Sequence, residues 1–284
     1  MSNMISWDAN TELGSQKPPL GRWLDRQHPR LQGCQFFAPL NENAGGYAYD
    51  AMTGRRGSLF GTPLPSWTTR PGGLSFANPA ALTPAQYAVF PSSFDPNCTP
   101  HTLCFLLELA GLASTYNDVF YALDAGGRTA AGWIVTIQSN FQVAVGGANF
   151  NRFTNANAIP SAGRFALAVT YDGSGLTNGG TASGIRVYVN GLEAAYANTT
   201  VNGAPVAAPG NWMLSYDDRG SGVCGGLTGS LYAVAAFNRV LSRQEIWSFR
   251  QQPFAAFAAT PPLAWEEEAA AYAAVLRHLA QLCA

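Results

Sequence analysis

At 284 residues the chain is long enough to bury a large core, and all-β sandwiches commonly reach roughly 200–250 residues as one unit. Only 12% of its residues are charged, about half the usual ~25%, while 47% are hydrophobic. A net charge of −1 gives no electrostatic footprint for a phosphate backbone, and no apolar run approaches the ~20 residues that span a bilayer, so neither nucleic acid nor membrane is an expected partner.

Residues 1–30 are polar, proline-bearing and without a clear period. The opening MSNMISWDAN lacks a basic stretch followed by an apolar run, so no secretory leader is expected. GSQKPPLGRWLDRQHPR reads as an extended arm with Trp23 and Leu24 as anchor points, either frayed or docked on a partner.

From residue 31 the pattern becomes strand-like. LQGCQFFAPL is followed by the breaker cluster NENAGG, and GSLFG, GGLSFAN and QYAVFP are short strands punctuated by Gly, Pro and Asn. LCFLLELA (103–110) is apolar without a period, which leaves a helix and a buried strand both open. FYALDAGG, GWIVTIQ and FQVAVGG follow, with QSN turning the hairpin between the last two.

FALAVTYDG (165–173) and GIRVYVNGLEAAYA (184–197) are the most regular elements. In the second, Ile185, Val187 and Val189 face one way and Arg186 and Tyr188 the other, the alternation of a half-buried antiparallel strand. Asn190-Gly191 suits a two-residue hairpin turn, since both tolerate positive φ. NWMLSYDD and SLYAVAAFN are strand-like again, separated by a glycine-rich stretch. Ser242 with Glu245 three residues on has the spacing of a capping box and predicts a short helix.

PPLAWEEEAAAYAAVLRHLAQLCA (261–284) is different from all that precedes it. Two prolines break the chain, Glu266, Glu267 and Glu268 fill a first helical turn, and Arg277 and His278 lie near its end. Tyr272, Val275, Leu276, Leu279 and Leu282 form an apolar stripe at helical spacing, which predicts an amphipathic helix over 265–282. Such a stripe is too short to be stable alone in water and must be covered, by its own domain or by a partner subunit. The expected division is an arm over 1–30, one domain over 31–250, and a linker with a C-terminal helix over 251–284.

Five cysteines form no CxxC and no zinc spacing. Cys34, Cys104 and Cys224 lie in or beside apolar stretches, where a free thiol behaves as a small hydrophobe. Reduced thiols are the expectation, with a Cys98–Cys104 bridge as the alternative.

Together, FALAVTYDG and IRVYVNG, then GSLYAVAAFNRVLSRQEI (229–246), and upstream APLNENAGGYAYDAMTGRRGSLFG (38–61), resemble the laminin G-like domains of the concanavalin A-like lectin/glucanase group. Singly each motif is common; their order and spacing over about 31–250 carry the likeness. The resemblance implies an all-β fold, a two-sheet antiparallel jelly-roll sandwich. It also implies binding of sugars or proteins, often with calcium near one rim. A domain of this type preceded by a Trp- and Pro-bearing arm further resembles virion proteins of tailed bacteriophages and prophages.

Chemistry is sparse. The glucanases of this group resemble one another in a Glu-x-Asp-x-x-Glu strand that sets two carboxylates about a glycosidic bond. Glu108 has no Asp two residues on and no Glu five on, Glu193 follows a hairpin turn, and Glu266–Glu268 open a helix. His28, His101 and His278 lack metal spacing and pair with no visible nucleophile. No P-loop or GxSxG is present. The expectation is a protein that is not an enzyme.

Calcium is the one candidate cofactor, through Asp217 and Asp218 with Asp50 and Asp124 from other loops. Tyr216, Trp133 and Asn149 are the candidate sugar contacts. Trp23, Leu24, Tyr272, Val275, Leu276, Leu279 and Leu282 are the candidate partner contacts. The functional expectation is a capsid decoration or tail accessory protein of a phage virion, assembled in the host cytoplasm. It would be attached to other virion proteins, and to copies of itself as a homo-oligomer, through its terminal elements. The alternative is a carbohydrate-binding module for host surface polysaccharide.

Overall fold

The computed structural model describes residues 23–68, 72–78, 86–96, 99–112, 116–122, 132–147, 149–159, 161–174, 176, 182–201, 208–216 and 224–258. In chain order the first strands are β1 (Trp23–Leu24), β2 (Cys34–Ala38), β3 (Tyr47–Tyr49), β4 (Arg56–Gly61), β5 (Ser66–Thr68), β6 (Gly73–Ala77) and β7 (Gln86–Phe90). Next come β8 (His101–Leu109), β9 (Tyr116–Ala122), β10 (Trp133–Gln138), β11 (Val143–Gly147), β12 (Phe150–Thr154), β13 (Gly163–Tyr171) and β14 (Ile185–Val189). β15 (Leu192–Glu193), β16 (Tyr196–Val201), β17 (Trp212–Leu214), β18 (Cys224–Gly226) and β19 (Thr228–Phe237) precede the helix α1 (Arg243–Gln251) and β20 (Phe257–Ala258).

Two sheets face each other in a sandwich, as the resemblance implied. The larger runs β16-β12-β11-β10-β9-β17-β7-β4-β3, with β18 added in parallel beside β9. The smaller runs β15-β14-β13-β8-β19-β6-β5, and β2 shares the edge of β19 with β6. All the other pairings are antiparallel, the pattern expected where most connections are short turns.

Alternation explains the core. Leu103, Phe105, Leu107 and Leu109 of β8 point between the sheets, with Phe36, Phe90, Phe120, Trp133, Phe150 and Trp212. Cys104 and Leu106 of the same strand point the other way, into a second apolar layer with Phe37, Tyr232, Ala235 and Phe237. LCFLLELA is therefore a strand, and it lacks a period because both of its faces are buried.

Helix α1 covers that second layer. Ser242 caps it reciprocally with Glu245, and Ile246 is its buried residue. The Asn190-Gly191 turn has φ of 52° and 78°, and trading Gly191 for a larger residue would drive a Cβ to 2.7 Å from the Trp247 ring of α1. Beside this layer β1 pairs with β20, Trp23 opposite Ala258 and Leu24 opposite Phe257. Phe257 and Phe254 lie 5.6 and 6.2 Å from the Phe37 ring, so the ribbon packs on the smaller sheet. Residues 1–22 of the N-terminal arm and the amphipathic segment 265–282 lie outside the described residues.

Candidate ligand-binding face

The outer face of the larger sheet is built by ladder partners that share one side. Tyr47, Ser58, Val89, Met213, Tyr121, Ile134, Gly146 and Asn151 stand opposite one another across β3, β4, β7, β17, β9, β10, β11 and β12. One step along the strands, Phe60 of β4 faces Tyr87 of β7. Their rings stack at 5.0 Å with planes 12° apart. Tyr87 lies 4.8 Å from Tyr216, and Tyr216 lies 6.2 Å from Tyr121. Four rings thus form a continuous track over β4, β7 and β9, with Tyr216 following β17, which lies between β7 and β9.

Much of this face meets solvent. Tyr47, Tyr49 and Phe60 are 42%, 47% and 41% exposed. The Arg56 guanidinium sits 4.0 Å from the Tyr47 ring centroid, which steadies the ring and adds a donor at the edge of the track. Within the track Phe60 is exposed, Tyr87 and Tyr216 are half-buried and Tyr121 is buried beneath them. The open rings of Phe60, Tyr47 and Tyr49 with the Arg56 guanidinium can therefore stack on the apolar faces of sugar rings and hydrogen-bond their hydroxyls.

The residues named from sequence fall in different places. Tyr216 is part of the track. Asn149 lies at the β11–β12 turn, three strands from Tyr121, or about 14 Å at ~4.8 Å per strand. Trp133 is corrected as a sugar contact: it is fully buried, with its ring against His101, Phe150 and Tyr171 at 4.7, 5.1 and 5.5 Å. It begins β10 in phase with Val135 and Ile137, which aims it between the sheets.

Asp50 is likewise corrected as an open calcium ligand. Its Oδ1 accepts from the Phe37 and Met52 amides at 2.9 and 3.0 Å, and its Oδ2 from the Thr53 hydroxyl at 2.5 Å. Those bonds close the turn after β3 and occupy the carboxylate. Asp124, Asp217 and Asp218 lie outside the described residues, as do Tyr272, Val275, Leu276, Leu279 and Leu282. Among the described residues no group of three His, Cys, Asp or Glu side chains is placed to hold a metal. Leu24 packs against the second apolar layer, and Trp23 contributes its backbone to the β1–β20 ribbon.

Three glutamates that the sequence leaves as candidates for chemistry or capping serve the fold. Glu245 bonds Arg239 at 2.6 Å and the Ser242 amide, and the Arg239 bond holds its carboxyl down at about 2. Glu193 bonds Arg186 at 3.1 Å. Glu108 accepts from Arg164 at 2.7 Å and from the Tyr232 hydroxyl. Partial burial works against the Glu108 charge, but those hydrogen bonds outweigh it and keep the carboxyl below its usual range.

Residues 84–247 match a family described as the Concanavalin A-like lectin/glucanases superfamily. No curated protein matches the sequence. Among solved structures, a Trypanosoma rangeli sialidase in complex with sialic acid superposes with a TM-score of 0.54 at 16% identity, over 79% of this chain and 33% of that one. Domain 4 of AbnA, a GH43 extracellular arabinanase from Geobacillus stearothermophilus, in complex with arabinotriose, superposes with a TM-score of 0.51 at 12% identity, over 77% and 98%. The chain spans about a third of the length of the sialidase. At these identities the likeness is one of fold.

Proposed function

The chain belongs to the concanavalin A-like lectin/glucanases superfamily, and from that premise we propose that it is a non-catalytic glycan-binding domain that uses the outer face of its larger sheet. The observation that carries this reading is the aromatic track Phe60–Tyr87–Tyr216, exposed at Phe60 and half-buried at Tyr87 and Tyr216, with the exposed Tyr47 and Tyr49 beside it. Aromatic side chains supply large, rigid contact area at low entropic cost. The arabinanase domain, which aligns over nearly its whole length, is itself bound to arabinotriose. The commitment of Glu108, Glu193 and Glu245 to arginines supports the absence of glycosidic chemistry. A glycan array, run with and without calcium and with a Phe60→Ala/Tyr87→Ala variant as control, tests the proposal. Saturable binding that the variant loses supports it; equal binding by both proteins overturns it.

A second reading, a virion accessory protein, is favoured by the β1–β20 ribbon. The ribbon brings Trp23 and Ala258 side by side against the smaller sheet, away from the aromatic face. A particle could hold the domain by both flanking segments while the track points outward. Under this reading the capsid decoration or tail accessory protein uses the same face toward the host surface. Imaging particles for copies at regular capsid or tail positions tests it, and particles without the protein would overturn it.

A further inference from the structure

On the far side of the molecule, ladder partners align Ser66 of β5, Ser75 of β6, Ser230 of β19, Glu108 of β8 and Arg164 of β13 in one row. The row lies on the outer face of the smaller sheet, because Leu107, Leu109, Phe165 and Leu231 beside it point into the inter-sheet core. One step toward α1 that face is apolar, with Leu106, Ala166 and Ala233 in the covered layer. The polarity therefore changes where the helix cover ends. There the surface sinks into a groove of about 420 Å³ lined by Thr68, Ser75, Glu108, Arg164, Thr228 and Ser230, among others. That lies within the roughly 300–1,000 Å³ of small-molecule clefts.

The groove is organised around one carboxylate. Arg164 Nε and the Tyr232 hydroxyl both donate to Glu108 Oε2, and the Arg164 guanidinium lies 4.9 Å from the Tyr232 ring. Tyr232 reaches Glu108 because it sits at a break in the β19–β8 register. Gly73 makes room for the ring, since a Cβ there would stand 2.8 Å from it. Glu108 Oε1 accepts no hydrogen bond among the described residues. The carboxylate and guanidinium cancel in charge, so the groove has no bias for an ion. Its wall offers an ionised acceptor and several hydroxyls, the complement of a ligand rich in hydroxyl groups.

We propose that this groove is a second saccharide subsite, taking a neutral sugar unit whose adjacent hydroxyls donate to Glu108 Oε1 and bond the Ser and Thr hydroxyls. It is independent of the aromatic track, which lies on the other sheet.

The test follows the Arg164 Nε–H resonance by ¹⁵N NMR, assigned through its loss in Arg164→Lys. Glucose, galactose, mannose and arabinose are titrated to about 50 mM, with N-acetylneuraminic acid as a charged control; millimolar affinity suffices for detection. The expected result is a saturable shift with at least one neutral sugar. Glu108→Gln and Ser75→Val, each checked for an unchanged melting temperature, should weaken that binding at least about tenfold. Phe60→Ala/Tyr87→Ala should leave it unchanged, so failure of the aromatic face and failure of this groove read out separately. Four results would each overturn the proposal: no saturable shift with any neutral sugar, a shift only with the charged sugar, an equal shift in both groove variants, or loss of the shift in the aromatic-face variant.

Discussion

Phe60 and Tyr87 stand directly opposite each other on β4 and β7 with their rings nearly parallel, 5.0 Å apart. Side chains so placed on the outside of a sheet support each other's orientation without the help of a core, which leaves one edge of the pair open to a ligand. Replacing either ring by alanine should lower glycan affinity by roughly tenfold, or ~1.4 kcal/mol. The change in unfolding free energy should be smaller for Phe60, which is 41% exposed, than for the half-buried Tyr87. Titration calorimetry against an array-selected glycan, paired with urea unfolding, separates the two effects.

His101 opens β8 in full burial, within 4.7–5.7 Å of Phe94, Trp133 and Tyr171. Its Nδ1 bonds the Thr99 carbonyl at 2.9 Å, while Nε2 has no partner among the described residues. Burial pushes the imidazole down to about 4, against ~6.5 in an unfolded chain. The unfolded state then takes up the proton first as pH falls, so stability is complete above about pH 6.5 and declines toward pH 4, by roughly 3 kcal/mol in all. His101→Leu should flatten the urea-unfolding free energy across that window. An unchanged slope would show that other groups control it.

The capping box of α1 makes a separate prediction. Ser242→Ala removes the side-chain acceptor for the Glu245 amide and should cost about 1 kcal/mol. Glu245, held down at about 2 chiefly by its bond to Arg239, has a folded value below the ~4.3 of an unfolded glutamate. Its contribution is therefore present above about pH 4.3 and is lost as pH falls toward 2. Glu245→Gln should remove that acid-side dependence in thermal melts.

Cys34 and Cys104 are buried free thiols, and burial pushes Cys34 up to about 12 and Cys104 higher still. Since the thiolate is the reactive form, a disulfide reagent at about pH 8 should leave both unmodified in the native protein and modify both in denaturant. Mass spectrometry of the labelled peptides checks this residue by residue.

Local signals carried much of the fold. The alternation of Ile185, Val187 and Val189, the Asn190-Gly191 turn and the Ser242–Glu245 cap each depend on neighbours within a few residues, and each forms as read. LCFLLELA was ambiguous because a strand buried on both faces has no period. The candidate face was mostly hidden for a different reason. Phe60 and Tyr87 become neighbours through the β4–β7 ladder, and Tyr216 joins them because β17 inserts between β7 and β9, pairings that no local pattern encodes. Tyr216 and Trp133 look alike in sequence as candidate exposed aromatics, yet Trp133 lies inside. The sign that could have separated them was the phase of Trp133 with Val135 and Ile137. Asp50 shows the matching limit for carboxylates, since a turn-closing aspartate and a metal ligand look alike in sequence. For Glu108 the available sign was a single charge in an otherwise apolar strand.

The two-residue ribbon joining Trp23–Leu24 to Phe257–Ala258 has a mechanical consequence. Its strands are antiparallel and both leave from the same end, so tension drawing the flanking segments apart opens it one residue pair at a time, like a zipper. The ladders of the sandwich, reaching nine partner pairs between β8 and β13, stay unloaded until that clasp has parted. A domain gripped by both ends thus has a short length of slack that yields under strain while the aromatic face of the larger sheet keeps its shape.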